Sequence, residues 1–397
     1  MLSSEVIILS IVALLSLYLC YGVQDSLRRR YRQYQQTQRQ SLQLYRLRRQ
    51  GDLLKLWLRH PKGQSLPKAR PGQHLQLFYQ DQRGQKLSRA YSLINDCRQR
   101  GYYMLAIKID SEGQLTPLLA QTLEQGQLLE CSYPRGHFAP ALTYRSILAT
   151  LLPGITLLPQ QPLVLVAGGI GITPLLPMIS SALAQRREVT LVYQARTAAD
   201  LLQHAKLRRL SARSGFKYLP ILSQPISSWH GRVGRITAAQ LALLGGPHAE
   251  YLLCATAKMV FALADGLAEL GCHHVQHELF SAAHSTQNLT INLGSAQANS
   301  LGHRTVLDAL LASGIQVPYD CRSGSCGACV LRLVEGKCHQ VLHSEFRVAD
   351  HELLSCCVQA STTLQLDWPC VDTEVEQPLA YQHEVLFSKE PIRLKIG

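Results

Sequence analysis

Hydrophobic and polar positions divide the chain into regions of different period. From Val6 to Gln24 no residue is charged, and Val6–Tyr21 is almost wholly Ile, Leu, Val, Ala, Ser and Tyr. As a helix, these 19 residues would extend about 28 Å, close to the hydrocarbon thickness of a bilayer. This predicts a transmembrane anchor over 5–24. A processed leader and a buried helix compete with it, but Met1–Glu5 has no Lys or Arg and no A-x-A cleavage pattern follows. Beyond residue 50 the period shortens. Leu53–Leu58 reads as a strand, followed by a loop with Pro61, Pro67 and Pro71-Gly72, then strands His74–Tyr79, Ala90–Ile94 and Tyr102–Ile109. Short strands with Gly and Asp between them predict an antiparallel β-barrel over 51–140. From Pro162, strands Leu163–Ala167, Val189–Tyr193, Tyr218–Ile221 and Tyr251–Cys254 alternate with helices Leu175–Ala184, Asp200–Ser211, Ala238–Leu244 and Met259–Leu270. That alternation predicts an α/β domain over 162–284, with a parallel sheet covered by helices on both faces. A strand at Leu289–Leu293 opens a third unit over 286–370; the tail 371–397 carries no readable motif.

Length and composition agree with several domains. The chain has 397 residues, 46% hydrophobic and only 17% charged, which excludes a mostly disordered protein. Its formal charge of +13 raises the question of nucleic acid. The distribution answers it: eight arginines fall between residues 26 and 51 with no acid among them, directly after the uncharged span. Such clustering predicts that the C-terminal side stays in the cytoplasm. Residues 25–50 then read as a basic juxtamembrane linker, held on anionic lipid or simply solvated. An ordered basic face with stacking or groove-reading elements is missing, so nucleic acid is not an expected partner.

Twelve cysteines are too few for a disulfide scaffold of this length, and their spacing is specific. Cys321-Arg-Ser-Gly-Ser-Cys326-Gly-Ala-Cys329 has the C-x4-C-x2-C spacing of a plant-type 2Fe-2S site. Three thiolates must reach two irons from one tight loop, and Gly324 and Gly327 suit the unusual backbone conformations this needs. Zinc fits poorly, because structural zinc prefers paired C-x2–4-C knuckles. A fourth thiolate is required further along, and Leu354-Ser355-Cys356-Cys357 offers two.

Thr305–Cys356 resembles the plant-type ferredoxin domain fused to flavoprotein reductases, a β-grasp-like α+β fold. The resemblance implies that the fourth ligand lies in a Leu-(Ser/Ala)-Cys sequence, hence Cys356, with Cys357 as runner-up. Arg89-Ala90-Tyr91-Ser92 resembles the R-x-Y-S motif of ferredoxin-reductase-type flavin domains. There Arg89 would meet a phosphate, the Tyr91 ring would lie against the isoalloxazine, and the Ser92 hydroxyl would sit near its N5. Ile107-Lys108, Gly113-x-x-Thr116 opening a phosphate-binding helix, and Gly136-His-Phe138 extend the match.

Val164–Ala167 followed by Gly168-Gly169-Ile170-Gly171-Ile172-Thr173-Pro174 is similar to the same family's nucleotide loop, where backbone N–H groups receive a pyrophosphate. Cys254-Ala-Thr-Ala-Lys-Met259 aligns with its C-G-P-P-x-M, retaining the cysteine near the nicotinamide but replacing Gly-Pro by Ala255-Thr256. Glu278-x-Phe280 resembles the E-x-F that closes the domain. Arg196 could meet an adenosine 2′-phosphate, although NADH is the favoured donor over NADPH. Ser92 and Cys254 are the catalytic candidates.

The resemblance covers about residues 50–370 and implies the reductase component of an oxygenase, desaturase or hybrid-cluster system. Electrons would pass from NAD(P)H through FAD, less plausibly FMN, and a 2Fe-2S cluster to a redox partner protein such as a membrane-bound oxygenase or desaturase. Alternative readings are a membrane redox sensor with a weakly active nicotinamide site, and a quinone or ferric reductase. The apolar connection 141–161 would touch the bilayer or dock a membrane partner, or else pack on the flavin domain.

Overall fold

A computed structural model describes residues 39–80, 84, 86–141, 161–281, 284–319, 322, 324, 326–342, 344, 346 and 348–369. The expected span 5–24, the start of the basic linker, the connection 142–160, Cys321 and the tail from 370 lie outside the described residues. Among the described residues, no helix is long and apolar enough to cross a membrane.

The first unit holds strands β1 (Arg39–Gln50), β2 (Leu53–Arg59), β3 (His74–Gln80), β4 (Lys86–Ser92) and β5 (Tyr103–Lys108), helix α1 (Leu115–Thr122) and strand β6 (Leu128–Ser132). The strands form an antiparallel sheet in the order β4-β3-β6-β1-β2-β5. A bridge from Leu93 to Leu105 joins the chain after β4 to β5, bringing the two edges together as a near-barrel. In β2, Leu54, Leu56 and Leu58 are fully buried while the residues between them are half-exposed, the period-2 pattern of a one-sided strand.

Strand β1 corrects the expected boundary of the basic linker. Residues 39–50 alternate as well, Leu42 and Leu44 inward and the arginines outward, so half of that linker is barrel wall. Its arginines have structural partners. Arg39 pairs with Glu130 at 3.1 Å and lies over the Phe78 ring. Arg46 lies over Trp57, and Arg49 donates to the carbonyl of Leu123 at the end of α1. Reading the arginines as one charge run concealed the alternating leucines.

The second unit contains β7 (Leu163–Gly168), α2 (Ile172–Ala184), β8 (Val189–Ala195), α3 (His204–Leu210), β9 (Phe216–Leu222), β10 (Arg232–Val233), α4 (Ala238–Gly245), β11 (Glu250–Thr256), α5 (Ala257–Glu269) and β12 (Val275–Ser281). All its strands pair in parallel, in the order β10-β9-β8-β7-β11-β12. Leu163 through Ala167 are all buried, as expected of a strand covered on both faces. The helix expected over Asp200–Ser211 is shorter. A capping box of Thr197 and Asp200 closes a 3-10 turn at Ala198–Asp200, and α3 begins only at His204.

The third unit is β13 (Thr290–Leu293), β14 (Ala296–Asn299), α6 (Val306–Ala312), β15 (Val330–Glu335), β16 (Cys338–Gln340), β17 (Glu352–Leu354), β18 (Val358–Ala360) and β19 (Leu364–Asp367). Its mixed sheet runs β14-β13-β19-β15-β17, with β13 and β19 parallel, and β16 pairs with β18 separately. Helix α6 buries Val306, Leu307, Ala309 and Leu310 in the core of this unit, capped by the Thr305 hydroxyl.

Candidate active site

The three units meet around one cavity of about 1220 Å³. Pockets for a single small ligand commonly measure about 300–1,000 Å³, so this one has room for two ligands side by side.

The barrel contributes the end of β4, the end of β5 and the start of α1. Arg89, Tyr91 and Ser92 of the R-x-Y-S sequence line the cavity. Tyr91 is buried, and its hydroxyl has no hydrogen-bond partner among the described residues. Burial pushes its pKa well up, so the hydroxyl stays protonated, a donor waiting for a ligand oxygen. Burial also draws the Arg89 guanidinium below its ordinary value, and the nearby charge of Arg322 adds to that. An anion in the cavity would relieve both effects. The buried donor and the charged guanidinium fit a phosphorylated, partly aromatic group such as a flavin nucleotide.

Two expected contacts are otherwise engaged. Lys108 Nζ bridges Asp200 at 3.1 Å and Asp52 at 3.3 Å, fastening the nucleotide domain to the barrel at the cavity's edge. Thr116 Oγ1 accepts from the Asp110 N–H and donates to the Asp110 carbonyl, shaping the turn before α1. Both residues still border the cavity.

The nucleotide domain presents its glycine loop and the ends of β8, β11 and β12. Gly168, Gly169 and Ile170 line the cavity, while Gly171, Thr173 and Pro174 lie behind it at the start of α2. The Thr173 hydroxyl donates to the Ile170 carbonyl and so braces the loop. A methyl on Gly171 would come within 2.2 Å of the Cys254 carbonyl, so β11 and the loop touch backbone to backbone there. Cys254 is fully buried and stands beneath the cavity wall; burial drives its pKa well up, with Glu278 adding to the effect, so it is a neutral thiol. Glu278 and Phe280 line the cavity from β12, Arg196 lines it just after β8 and Arg235 just after β10.

The departure at Ala255-Thr256 has a local explanation. Ala255 is buried, and a Cβ on Gly168 would come within 2.7 Å of its methyl, so the glycine opposite makes room for it. Thr256 ends β11, immediately precedes α5 and is exposed at the cavity, with its hydroxyl making no capping bond.

In the third unit, Cys329 and Cys356 are buried and Cys326 is half-buried. The ladder Val330–Leu354 brings Cys329 beside the Leu-Ser-Cys sequence, and the Ser355 N–H and hydroxyl both donate to the Cys329 carbonyl. Gly324 and Gly327 have φ of +70° and +76°, and a Cβ on Gly327 would strike the Phe346 ring. Cys329 and Cys356 thus share one buried core beside glycines of left-handed backbone, which fits a cluster held by cysteines. Cys356 and Cys357 are both buried with sulfurs 3.5 Å apart, but only Cys356 borders the cavity.

Sequence reasoning missed the ferredoxin side of the cavity. Arg304, Thr305, Asp308 and Arg322 line it alongside the barrel residues. Arg304 pairs with Asp110 at 2.5 Å, and Arg322 donates to Gln114 at 3.0 Å, docking the third unit on the turn before α1. The motifs on the two units lie some 200 residues apart, and nothing local in either announces the other.

Comparison with known proteins finds the same three parts in the same order. An oxidoreductase FAD-binding domain matches residues 49–139, an oxidoreductase NAD-binding domain 165–265, and a 2Fe-2S iron-sulfur cluster binding domain 292–361. The 3-chlorobenzoate-3,4-dioxygenase reductase subunit of Comamonas testosteroni is 28% identical over 325 residues, covering 80% of this chain and 93% of its own length. The ferredoxin reductase component of 3-ketosteroid-9-alpha-monooxygenase from Rhodococcus rhodochrous is 28% identical over 295 residues, covering 68% and 78%. The structure of phthalate dioxygenase reductase, described as modular for electron transfer from pyridine nucleotides to 2Fe-2S, shares the fold. It gives a TM-score of 0.55 at 24% identity, over 83% of this chain and 98% of that one.

The chain is therefore an NAD(P)H-dependent oxidoreductase with FAD and 2Fe-2S electron-transfer domains. In chain order it joins an FAD-binding domain, an NAD-binding domain and a C-terminal 2Fe-2S domain, and it shares the fold of phthalate dioxygenase reductase.

Proposed function

We propose that this protein is a membrane-anchored reductase delivering electrons one at a time from NAD(P)H to a partner oxygenase. The observation that carries the reading is the single cavity on which the R-x-Y-S strand, the glycine loop and Cys356 converge. A bound flavin would supply the exchange between a two-electron nicotinamide donor and a one-electron 2Fe-2S cluster.

The protein's own residues hold and orient these groups. Arg89 and the start of α1 would neutralise the flavin phosphates, Tyr91 would donate its hydroxyl inside the cavity, and Ser92 would offer its hydroxyl to the isoalloxazine. Gly168 and Gly169 admit the NAD(P)H pyrophosphate, with Thr256 adding a hydroxyl at the start of α5. The neutral, buried Cys254 would support the floor of the nicotinamide site by packing and leave proton transfer to other groups. Cys321, Cys326, Cys329 and Cys356 would hold the cluster. Cys356→Ser is expected to abolish the 2Fe-2S absorption while Cys357→Ser retains it; the reverse would transfer the role to Cys357.

The acceptor class rests on the named relatives, which are reductase subunits or components of dioxygenase and monooxygenase systems. Membrane attachment rests on the uncharged run at 6–24 and the arginines at 28, 29, 30 and 32. The full chain is expected in the membrane fraction after alkaline carbonate washing, and a variant lacking residues 1–38 in the supernatant. Extraction of both alike would remove the anchor from the account. The reductase reading is tested by adding NADH or NADPH anaerobically to the fully loaded protein. Bleaching of both the flavin and the 2Fe-2S bands is expected, and failure of both donors would overturn it.

A further inference from the structure

We infer that the ferredoxin domain completes the flavin site: Arg322, in the cluster loop, binds the FAD pyrophosphate from the side opposite Arg89. The inference rests on the FAD and 2Fe-2S reading above and assigns a role to a residue that neither flavin nor cluster resemblance singled out.

Arg322 directly follows the first cysteine of the cluster motif. An arginine there has no need to be buried, yet its side chain is only 8% exposed. Its backbone has φ +47°, a left-handed conformation that side-chain-bearing residues adopt at a cost, so the surrounding loop holds it in place. The guanidinium lies 4.3 Å over the Tyr319 ring, its Nη1 donates to Gln114 at 3.0 Å, and Asp308 stands 3.6 Å away. Its Nε is buried with no hydrogen-bond partner among the described residues. The side chain borders the cavity that Arg89, Tyr91 and the first residues of α1 also line.

Charge balance identifies the occupant. Two guanidinium groups, those of Arg89 and Arg322, border one space, with the Asp308 carboxylate 3.6 Å from Arg322. That carboxylate is itself shared with the Thr305 hydroxyl, which donates to it at 2.8 Å. Gln114 immediately precedes α1, whose first N–H groups receive no side-chain cap. A partly buried surplus of positive charge beside uncapped N–H groups calls for an anion with several acceptor oxygens. A purely mechanical role as a domain tether would use the bond to Gln114 but leave the buried Nε unexplained, and Arg304 with Asp110 already ties the domains together. Two pyrophosphates are available, those of FAD and NAD(P)H. Arg89 and α1 belong to the barrel, which selects FAD.

The test uses the full chain, stripped of flavin with its cluster retained, titrated with FAD, with riboflavin and with NADH. Arg322→Gln is expected to weaken FAD by about tenfold or more, as loss of a charge-assisted phosphate contact does. Riboflavin, which has no phosphate, should bind the variant and the native protein alike. NADH affinity should be unchanged, and Arg322→Lys should recover part of the loss. Unchanged FAD affinity in a cluster-loaded Arg322→Gln protein would overturn the inference, as would equal weakening of FAD and riboflavin. Weakening of NADH alone would move the contact to the other pyrophosphate and overturn it as stated. If Arg322→Gln fails to assemble the cluster, Gln114→Ala decides the matter, because it frees the guanidinium without altering the cluster loop. It should weaken FAD and spare riboflavin, and no effect on FAD would again overturn the inference. Bleaching of the native protein by NAD(P)H is independent of all these outcomes, so the reductase reading stands or falls separately.

Discussion

Gly171 shows how little latitude the nucleotide end of the cavity has. Its φ is ordinary, so the constraint is space: a methyl there would lie 2.2 Å from the Cys254 carbonyl and 3.3 Å from the Cys254 sulfur. Gly171→Ala is expected to push the glycine loop away from β11 and raise the KM for NAD(P)H by about tenfold or more, since displacements near 1 Å can cost a hundredfold. Steady-state kinetics with ferricyanide as acceptor would measure it, and an unchanged KM would mean the loop does not depend on this contact. The same scale explains why Ala255 is tolerated where the family resemblance has glycine. Its methyl points at Gly168, so the residue that accommodates it lies in another motif. Individual motifs were legible because their chemistry needs fixed spacing: cysteines for two irons, glycines for a pyrophosphate. The compensation between Ala255 and Gly168 was not, because it depends on two strand ends being neighbours in the sheet.

At the scale of elements, the buried pair Arg187–Glu250 joins the pieces around the domain connection. The two side chains are 6% and 5% exposed and 2.7 Å apart. Glu250 also accepts from the Ala141 N–H and from Gln276, and Arg187 donates to the Gln161 carbonyl. Both ends of the connection that leaves the described structure at 141 and returns at 161 are therefore fixed to one ion pair at the foot of the parallel sheet. Arg187→Met would leave the Glu250 carboxylate buried without its cation, and a loss of about 3–5 kcal/mol in unfolding free energy is expected by denaturant titration. A loss below about 1 kcal/mol would show that water or Gln276 compensates. Strands and helices of this domain could be read from continuous apolar runs alternating with 3.6-period segments. Strand β1 could not, since the arginines at its outward positions give it the charge pattern of a linker. Strand β6 was missed for a related reason: Leu-Leu-Glu-Cys-Ser carries only a short alternation, and its pairing with β1 and β3 decides it.

For the whole molecule, the ferredoxin domain meets the barrel through charges. The bond from Arg304 lowers the pKa of Asp110, so docking is stabilised above the ordinary carboxylate range near pH 4 and lost as pH falls through the depressed value. Because both side chains are partly exposed, added salt should weaken the contact as well. Small-angle scattering should show a compact particle at pH 6 and low salt, and expansion for Asp110→Asn under the same conditions. Equal dimensions for both proteins would assign docking to other contacts. Domain order was legible from the motifs alone, but the meeting of all three domains on one cavity was not, because it joins Arg89 and Arg322 across more than 200 residues of sequence. The proposed route makes FAD the obligatory station between nicotinamide and cluster, and one measurement addresses that most directly. The 2Fe-2S absorption and paramagnetic signal are followed anaerobically after NADH is mixed with the full chain, with and without its flavin. With FAD present, the flavin band should fall first and the reduced-cluster signal should follow; without FAD, the cluster should stay oxidised, and readdition of FAD should restore its reduction. Reduction of the cluster by NADH in the flavin-free protein, or an unreduced cluster in the fully loaded one, would contradict the account.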